Sequence, residues 1–75
     1  MDWILQKDKD IMSELDWMET RFEIETINGL HINAWGYLDE TRDGEIITHL
    51  EETDSGWYDE IDTDKIKRWR IIKII

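Results

Sequence analysis

Carboxylates are the groups in this chain most able to do chemistry, and most of them lie in one stretch, residues 39–64. This stretch holds eleven aspartates and glutamates and a single base, Arg42, so its local charge matches the net charge of the whole chain, −10 at pH 7. So many carboxylates suit acid–base catalysis, binding of a hard cation such as Ca²⁺, or attraction of a basic partner. The rest of the sequence decides among these three.

Catalysis lacks its other parts. A nucleophilic serine needs an adjacent base, and neither Ser13 nor Ser55 has a histidine near it in the sequence. His31 and His49 fall on predicted strands, where histidines are usually surface residues. A carboxylate pair for glycoside hydrolysis needs a cleft between its two groups, which a small domain rarely provides. We therefore predict that the protein is not an enzyme.

Calcium binding is the second possibility. Residues 39–46 resemble the front of an EF-hand loop, with Asp39 and Asp43 at positions one and five and Gly44 at position six. Position twelve, where a bidentate glutamate should stand, is Leu50, and the chain has no cysteine for a zinc site. We interpret the segment as a hairpin turn and predict no metal and no cofactor.

Hydrophobic periodicity predicts a mainly β domain of the α+β class over residues 1–75. Apolar residues at positions 11, 12, 15 and 18 share one face of a short helix over residues 8–18. The period then changes to two, which predicts five strands at residues 22–26, 30–38, 45–52, 57–61 and 67–75. Ala34 and Gly36, on the inward face of the second strand, indicate a strong bend or a close backbone approach.

The first predicted hairpin is similar to a known family. Residues 22–39 read as a strand, an Asn-Gly turn, a long strand containing glycine, and an aspartate, and residues 61–66 read as a short turn before the last strand. This pattern resembles the Sm-like and SH3-like small barrels. The resemblance implies a short amino-terminal helix followed by a five-stranded, strongly bent antiparallel barrel. Among acidic proteins, the chain looks most like phage-type DNA-mimic inhibitors and bacterial inhibitors of the Rho helicase.

The last predicted strand is basic. Residues 65–75 contain five bases and no acid, interleaved with Trp69, which suits contact with a nucleic-acid backbone and stacking on bases. A net charge of −10 repels a polyanion, however. Arg68 and Arg70 have an alternative role, because they can pair with acids on a neighbouring strand. We therefore predict no direct binding of nucleic acid.

Attraction of a basic partner is the leading hypothesis. Alternate residues of a strand are about 6.8 Å apart, close to the roughly 7 Å between successive phosphates of one DNA strand, so acids such as Glu23 and Glu25 repeat at phosphate-like intervals. We predict an inhibitor that occupies the DNA- or RNA-binding surface of a host protein, such as a sliding clamp, a nucleoid protein, a nuclease or a helicase. The residues predicted to bind this partner are Asp43, Glu45, Glu51, Glu52, Asp54, Trp57, Tyr58, Asp59, Glu60, Asp62 and Asp64.

Two other interpretations stay open. The acidic surface could be only a solubility coat. Alternatively, the apolar residues 71–75 could join copies of an Sm- or SH3-like interaction module, or pair with the amino-terminal Trp3, Ile4 and Leu5. We expect a cytoplasmic protein of a bacterial host, because the first residues lack the basic and apolar regions of a signal peptide, and we favour a homodimer.

Overall fold

Five antiparallel strands form one sheet in the computed structural model of the chain, which describes residues 2–53 and 60–74. Two 3-10 helices, Ile11–Glu14 and Thr63–Lys65, precede the second and the last strand. The order across the sheet is β1-β5-β2-β3-β4. The predicted mainly β, five-stranded antiparallel architecture is confirmed, and its strands are β1 (Ile4–Leu5), β2 (Thr20–Thr26), β3 (His31–Glu40), β4 (Ile46–Glu52) and β5 (Ile66–Ile74).

The sheet is open, so the predicted barrel is wrong. Within the described residues, β1 pairs only with β5, and β4 pairs with β3 and forms a single bridge between Glu51 and Glu60. Closing a barrel requires its two edge strands to pair with each other along their length, and β1 has only two residues. Of the predicted strand at residues 57–61, residues 57–59 lie outside the described part.

The predicted helix over residues 8–18 is also wrong. One turn of 3-10 helix forms at Ile11–Glu14, and Leu15 already has an extended backbone, with φ −68° and ψ 139°. Two contacts hold the following residues extended along β3. The Leu15 side chain packs over Gly36, and the Asp16 carbonyl accepts a 2.8 Å hydrogen bond from the N–H of Leu38. The close approach to Gly36 is thus made by the Leu15 side chain, whereas the sequence predicted a strong bend or the approach of another backbone.

The two hairpins have the same turn. In each, a threonine N–H donates to the carbonyl of the residue four positions later, and the threonine Oγ1 accepts from the N–H of that residue. The glycine three positions after the threonine donates its N–H to the threonine carbonyl. Gly29 and Gly44 have φ of 87° and 84°, a conformation that glycine adopts without steric strain. The two sequences are Thr-Ile-Asn-Gly-Leu at 26–30 and Thr-Arg-Asp-Gly-Glu at 41–45.

The amino-terminal segment covers one face of the sheet. Phe22 and Trp69 are fully buried there and meet edge to face, with ring centroids 5.9 Å apart. Trp69 Nε1 donates to the Lys9 carbonyl at 3.1 Å, which satisfies its polar atom inside the core. Trp69 is therefore not accessible for stacking on a base. No helix in the described part has the length and apolar character to cross a bilayer.

Candidate functional site

The face of the sheet opposite the core carries rows of paired charges. In one row, Arg68 Nε donates to Glu25 Oε1 at 2.8 Å, and in the next, Arg70 Nη2 contacts both carboxylate oxygens of Glu23 at 3.1 and 3.2 Å. The hydrogen bond from Arg68 lowers the pKa of Glu25 below its usual range, although burial opposes the shift. The predicted pairing of these two arginines with acids on a neighbouring strand is confirmed.

Trp3 covers both arginines. Its ring centroid lies 4.4 Å from the Cζ of Arg68 and 4.6 Å from the Cζ of Arg70, distances at which a guanidinium is attracted to an indole face. Trp3 is placed there because β1 follows it directly and pairs with residues 68–69. The amino terminus does pair with the last strand, but at residues 68–69, so the interpretation that it pairs with residues 71–75 is wrong for the described residues.

These contacts determine which acids are neutralised. Glu23 and Glu25, predicted to repeat at phosphate-like intervals, have side chains only 22% and 13% exposed and are held by arginines. Lys67 also approaches Glu25, at 3.9 Å. The two arginines of β5 are therefore paired with two glutamates of β2, which lie outside the acidic stretch.

Glu51 belongs to a second polar cluster on the same face. Its carboxylate accepts a hydrogen bond from Trp35 Nε1 at 3.3 Å and lies 3.2 Å from His49 Nδ1. His49 stacks on Tyr37 with ring centroids 4.5 Å apart. Burial raises the pKa of Tyr37, and the nearby carboxylates, Glu51 first, add to this effect. The Glu51 side chain is 14% exposed, so it contacts its neighbours in the sheet and is largely hidden from solvent.

Among residues 39–53 and 60–64, the exposed acids form two groups at opposite ends of β4. We call those around the β3–β4 turn the turn group and those between β4 and β5 the return group. The seven residues of β4 span about 20 Å, so the described acids do not form one row. The turn group consists of Asp39, Glu40, Asp43 and Glu45, and the return group consists of Glu60, Asp62 and Asp64.

The predicted partner-binding residues are thus divided among several places. Asp43 and Glu45 belong to the turn group, whereas Glu60, Asp62 and Asp64 form the return group. Asp62 also caps the second 3-10 helix, because its Oδ1 accepts a 3.0 Å hydrogen bond from the Asp64 N–H. Glu52 is half-buried at the end of β4. The remaining predicted residues lie outside the described part, namely Asp54, Trp57, Tyr58 and Asp59.

A groove of about 490 Å³ lies between the return group and the β2–β3 turn. Its lining contains both apolar and charged residues. The sequence pattern does not predict this groove, although two apolar residues in the first turn, Ile27 and Leu30, are a signal for it. The apolar lining residues are Ile27, Leu30, Ile32 and Ile61, and the charged ones are Glu52, Glu60, Asp62 and Lys65.

Neither a metal centre nor a relative guides the interpretation further. Among residues 2–53 and 60–74, no three His, Cys, Asp or Glu side chains are arranged to hold a metal ion. Comparison of the chain with protein-family models, curated proteins and solved structures found no match.

Proposed function

We propose that the protein is an acidic inhibitor that occupies the nucleic-acid-binding surface of another protein. The observation that carries this proposal is the separation of charge in the fold. The arginines of β5 pair with Glu23 and Glu25, while the turn group and the return group are exposed. A basic surface that attracts phosphates attracts such carboxylates through the same electrostatic field.

The spacing of the two groups favours one kind of target. Successive base pairs of a duplex are about 3.4 Å apart along its axis, so about 20 Å along β4 corresponds to roughly six base pairs. The groups therefore stand in for two separate stretches of backbone and not for neighbouring nucleotides. A protein that grips a duplex at two places, such as a sliding clamp, a nucleoid protein or a nuclease, fits this spacing better than one that reads a single strand.

Competition with nucleic acid tests the proposal. Each purified candidate target is first bound to a fluorescent duplex of about two helical turns, and the chain is then added while anisotropy is recorded. We expect the chain to displace the duplex from its target, and more salt to weaken the binding of the chain, because salt screens exposed charges. A chain that binds a target equally well with and without duplex, at every salt concentration, would show that the acidic groups do not replace phosphates.

A second candidate function is an interaction module that oligomerises through β5. On the edge of β5 away from β2, β1 pairs with residues 68–69 and the Gln6 N–H donates to the Lys67 carbonyl. The exposed Ile72 and Ile74 follow on the same strand, beyond these contacts of the described residues. An uncovered strand edge is a template for pairing with another chain. Light scattering over about a hundredfold range of protein concentration measures whether the chain is a monomer or a dimer. A dimer that Ile72→Lys dissociates would support this function, and a monomer throughout would exclude it.

A further inference from the structure

The groove beside the return group combines an apolar wall with an acidic rim. Ile27 and Leu30 form one side and are 67% and 59% exposed. Ile61, which packs partly against the core, contributes to the lining. Glu60 and Asp62 are exposed acids on the rim. A partner that fills this groove must therefore offer both apolar surface and positive charge.

The apolar side chains of the first turn are not needed to form it. The β3–β4 turn makes the same backbone and threonine hydrogen bonds as the β2–β3 turn. Arg42 and Glu45 occupy in it the positions that Ile27 and Leu30 occupy in the first turn. The fold is therefore compatible with charged residues at both positions. An exposed apolar patch with a polar border commonly marks an interaction site, and the contacts of residues 2–53 and 60–74 give no other reason for this one.

Backbone hydrogen bonds hold both sides of the groove in place. The Ile27 N–H donates to the Lys65 carbonyl at 2.9 Å, which ties the β2–β3 turn to the second 3-10 helix. The Ile61 N–H donates to the Leu50 carbonyl at 3.0 Å, which ties the opposite side to β4. Both of these lining segments are therefore held in place by the fold, which lowers the entropic cost of ordering them on binding.

We propose that this groove binds a basic segment of the partner protein through an apolar anchor side chain flanked by lysine or arginine. The proposal rests on the function proposed above and specifies the chemistry of the partner at the return group. The anchor lies between Leu30 and Ile61, and its basic neighbours pair with Glu60 and Asp62. Lys65 on the same rim repels cations, so the basic residues lie on the side of Glu60 and Asp62.

Two synthetic peptides of equal length and charge serve as probes. In one, lysines flank a central leucine, and in the other, serine replaces that leucine. Affinities are measured by calorimetry, and the contact site is mapped from amide chemical shifts. We expect the leucine peptide to bind at least about 5-fold more tightly, because burying a leucine side chain is strongly favourable. The largest shifts should fall at Ile27, Leu30 and residues 60–65.

The second turn supplies the decisive variant. Ile27→Arg combined with Leu30→Glu copies the β3–β4 turn into the β2–β3 turn and leaves the net charge unchanged, so the fold should be retained. This variant should bind both peptides equally. A separate variant, Glu60→Gln with Asp62→Asn, should weaken binding of both peptides, and asparagine can still cap the 3-10 helix. Circular dichroism checks that each variant is folded.

The results separate this inference from the proposed function. Equal affinity of the original chain for the two peptides would overturn the groove assignment, as would shifts centred on the β3–β4 turn. The proposed function would survive either result if the chain still displaced duplex DNA from a target. Failure of that displacement would instead overturn the proposed function, whichever peptide binds.

Discussion

Substitution of Gly36 should destabilise the fold, because the amino-terminal segment packs directly on this residue. A Cβ at this position would collide with Leu15 Cδ2 and would lie 3.2 Å from both Phe22 Cε2 and the His49 carbonyl oxygen. The leucine side chain can rotate away, but the carbonyl belongs to the backbone of β4. It moves only if the pairing of Gly36 with Leu50 is disturbed. The substitution Gly36→Ala should therefore force Leu15 out of its site.

The size of the effect follows from these contacts. Overpacking of a well-packed core lowers the free energy of unfolding by about 1–3 kcal/mol, and we expect this range for Gly36→Ala. Leu15→Ala removes a buried side chain and should lower it by about 2–5 kcal/mol. In the double variant the new methyl group occupies space that Leu15 has left. The combined loss should therefore be smaller than the sum by about 1 kcal/mol or more.

Urea unfolding, followed by tryptophan fluorescence, measures the free energy of unfolding of the original chain, the two single variants and the double variant. Thermal unfolding supplies a second readout, because each kcal/mol shifts the Tm of a domain of this size by about 4–8 °C. Gly44→Ala is the matched control. It strains a residue with φ of 84° but meets only the Glu40 Oε1 atom, at 3.8 Å, so its effect should add to that of Leu15→Ala. Additive effects for Gly36→Ala and Leu15→Ala would refute the packing of the amino-terminal segment on β3.

Two further predictions concern pH. The Arg68 hydrogen bond lowers the folded-state pKa of Glu25, so its stabilising contribution is present above the unfolded value of about 4.3 and is lost as pH falls through the lower folded value. Glu25→Gln should therefore reduce stability at neutral pH and make the loss of stability in acid smaller, as measured by the urea midpoint at each pH. An acid dependence equal to that of the original chain would show that the Arg68–Glu25 hydrogen bond does not stabilise the fold in this way. Burial raises the pKa of Tyr37, so above about pH 10 the unfolded state loses its proton first and stability falls. Tyr37→Phe should remove this alkaline loss, and an unaltered alkaline slope would argue against burial as its cause.

Local pattern was sufficient to predict much of the sheet. The alternation from Phe22 onward located β2 and β3, and the predicted strands at 45–52 and 67–75 differ from β4 and β5 by one residue at their starts. The glycines marked both turns, because each turn needs a residue with positive φ. The pairing of Arg68 with a neighbouring strand also followed from local sequence, since opposite charges attract across a sheet.

The errors lie where long-range contacts decide the structure. Residues 8–18 have a helical pattern, but a helix of eleven residues has little stability of its own. The packing of Leu15 on Gly36 and the hydrogen bond from Leu38 to Asp16 therefore prevail. Barrel closure depends on which edges meet, and a two-residue strand such as β1 gives no periodic signal from which to predict its pairing.

In the candidate site, too, the local sequence predicts the residues but not the long-range contacts that arrange them. The acids of residues 39–64 lie in one stretch of the sequence, but β4 runs through this stretch, and the two ends of the strand are about 20 Å apart. Composition alone could not reveal this separation, because it depends on strand length and turn position. Likewise, the sequence predicts that Glu51 presents its charge to a partner. In the structure, the strand register places Glu51 opposite Trp35, whose indole donates a hydrogen bond to the Glu51 carboxylate.

We expect the position of the exposed carboxylates, and not only their number, to determine how strongly the chain binds its target. Three variants that each remove two negative charges test it. Asp43→Asn with Glu45→Gln alters the turn group, Glu60→Gln with Asp64→Asn alters the return group, and a third variant alters two exposed amino-terminal acids outside residues 39–64, by Asp2→Asn with Asp8→Asn.

The decisive measurement is the concentration of each variant that displaces half of a duplex from its target at low salt. An exposed charge pair contributes about 0.2–1 kcal/mol, so loss of two pairs should make the turn and return variants each require about 2- to 30-fold more protein. The amino-terminal variant should match the original chain within about 2-fold. Equal losses in all three variants would contradict the account, because net charge alone would then explain the binding.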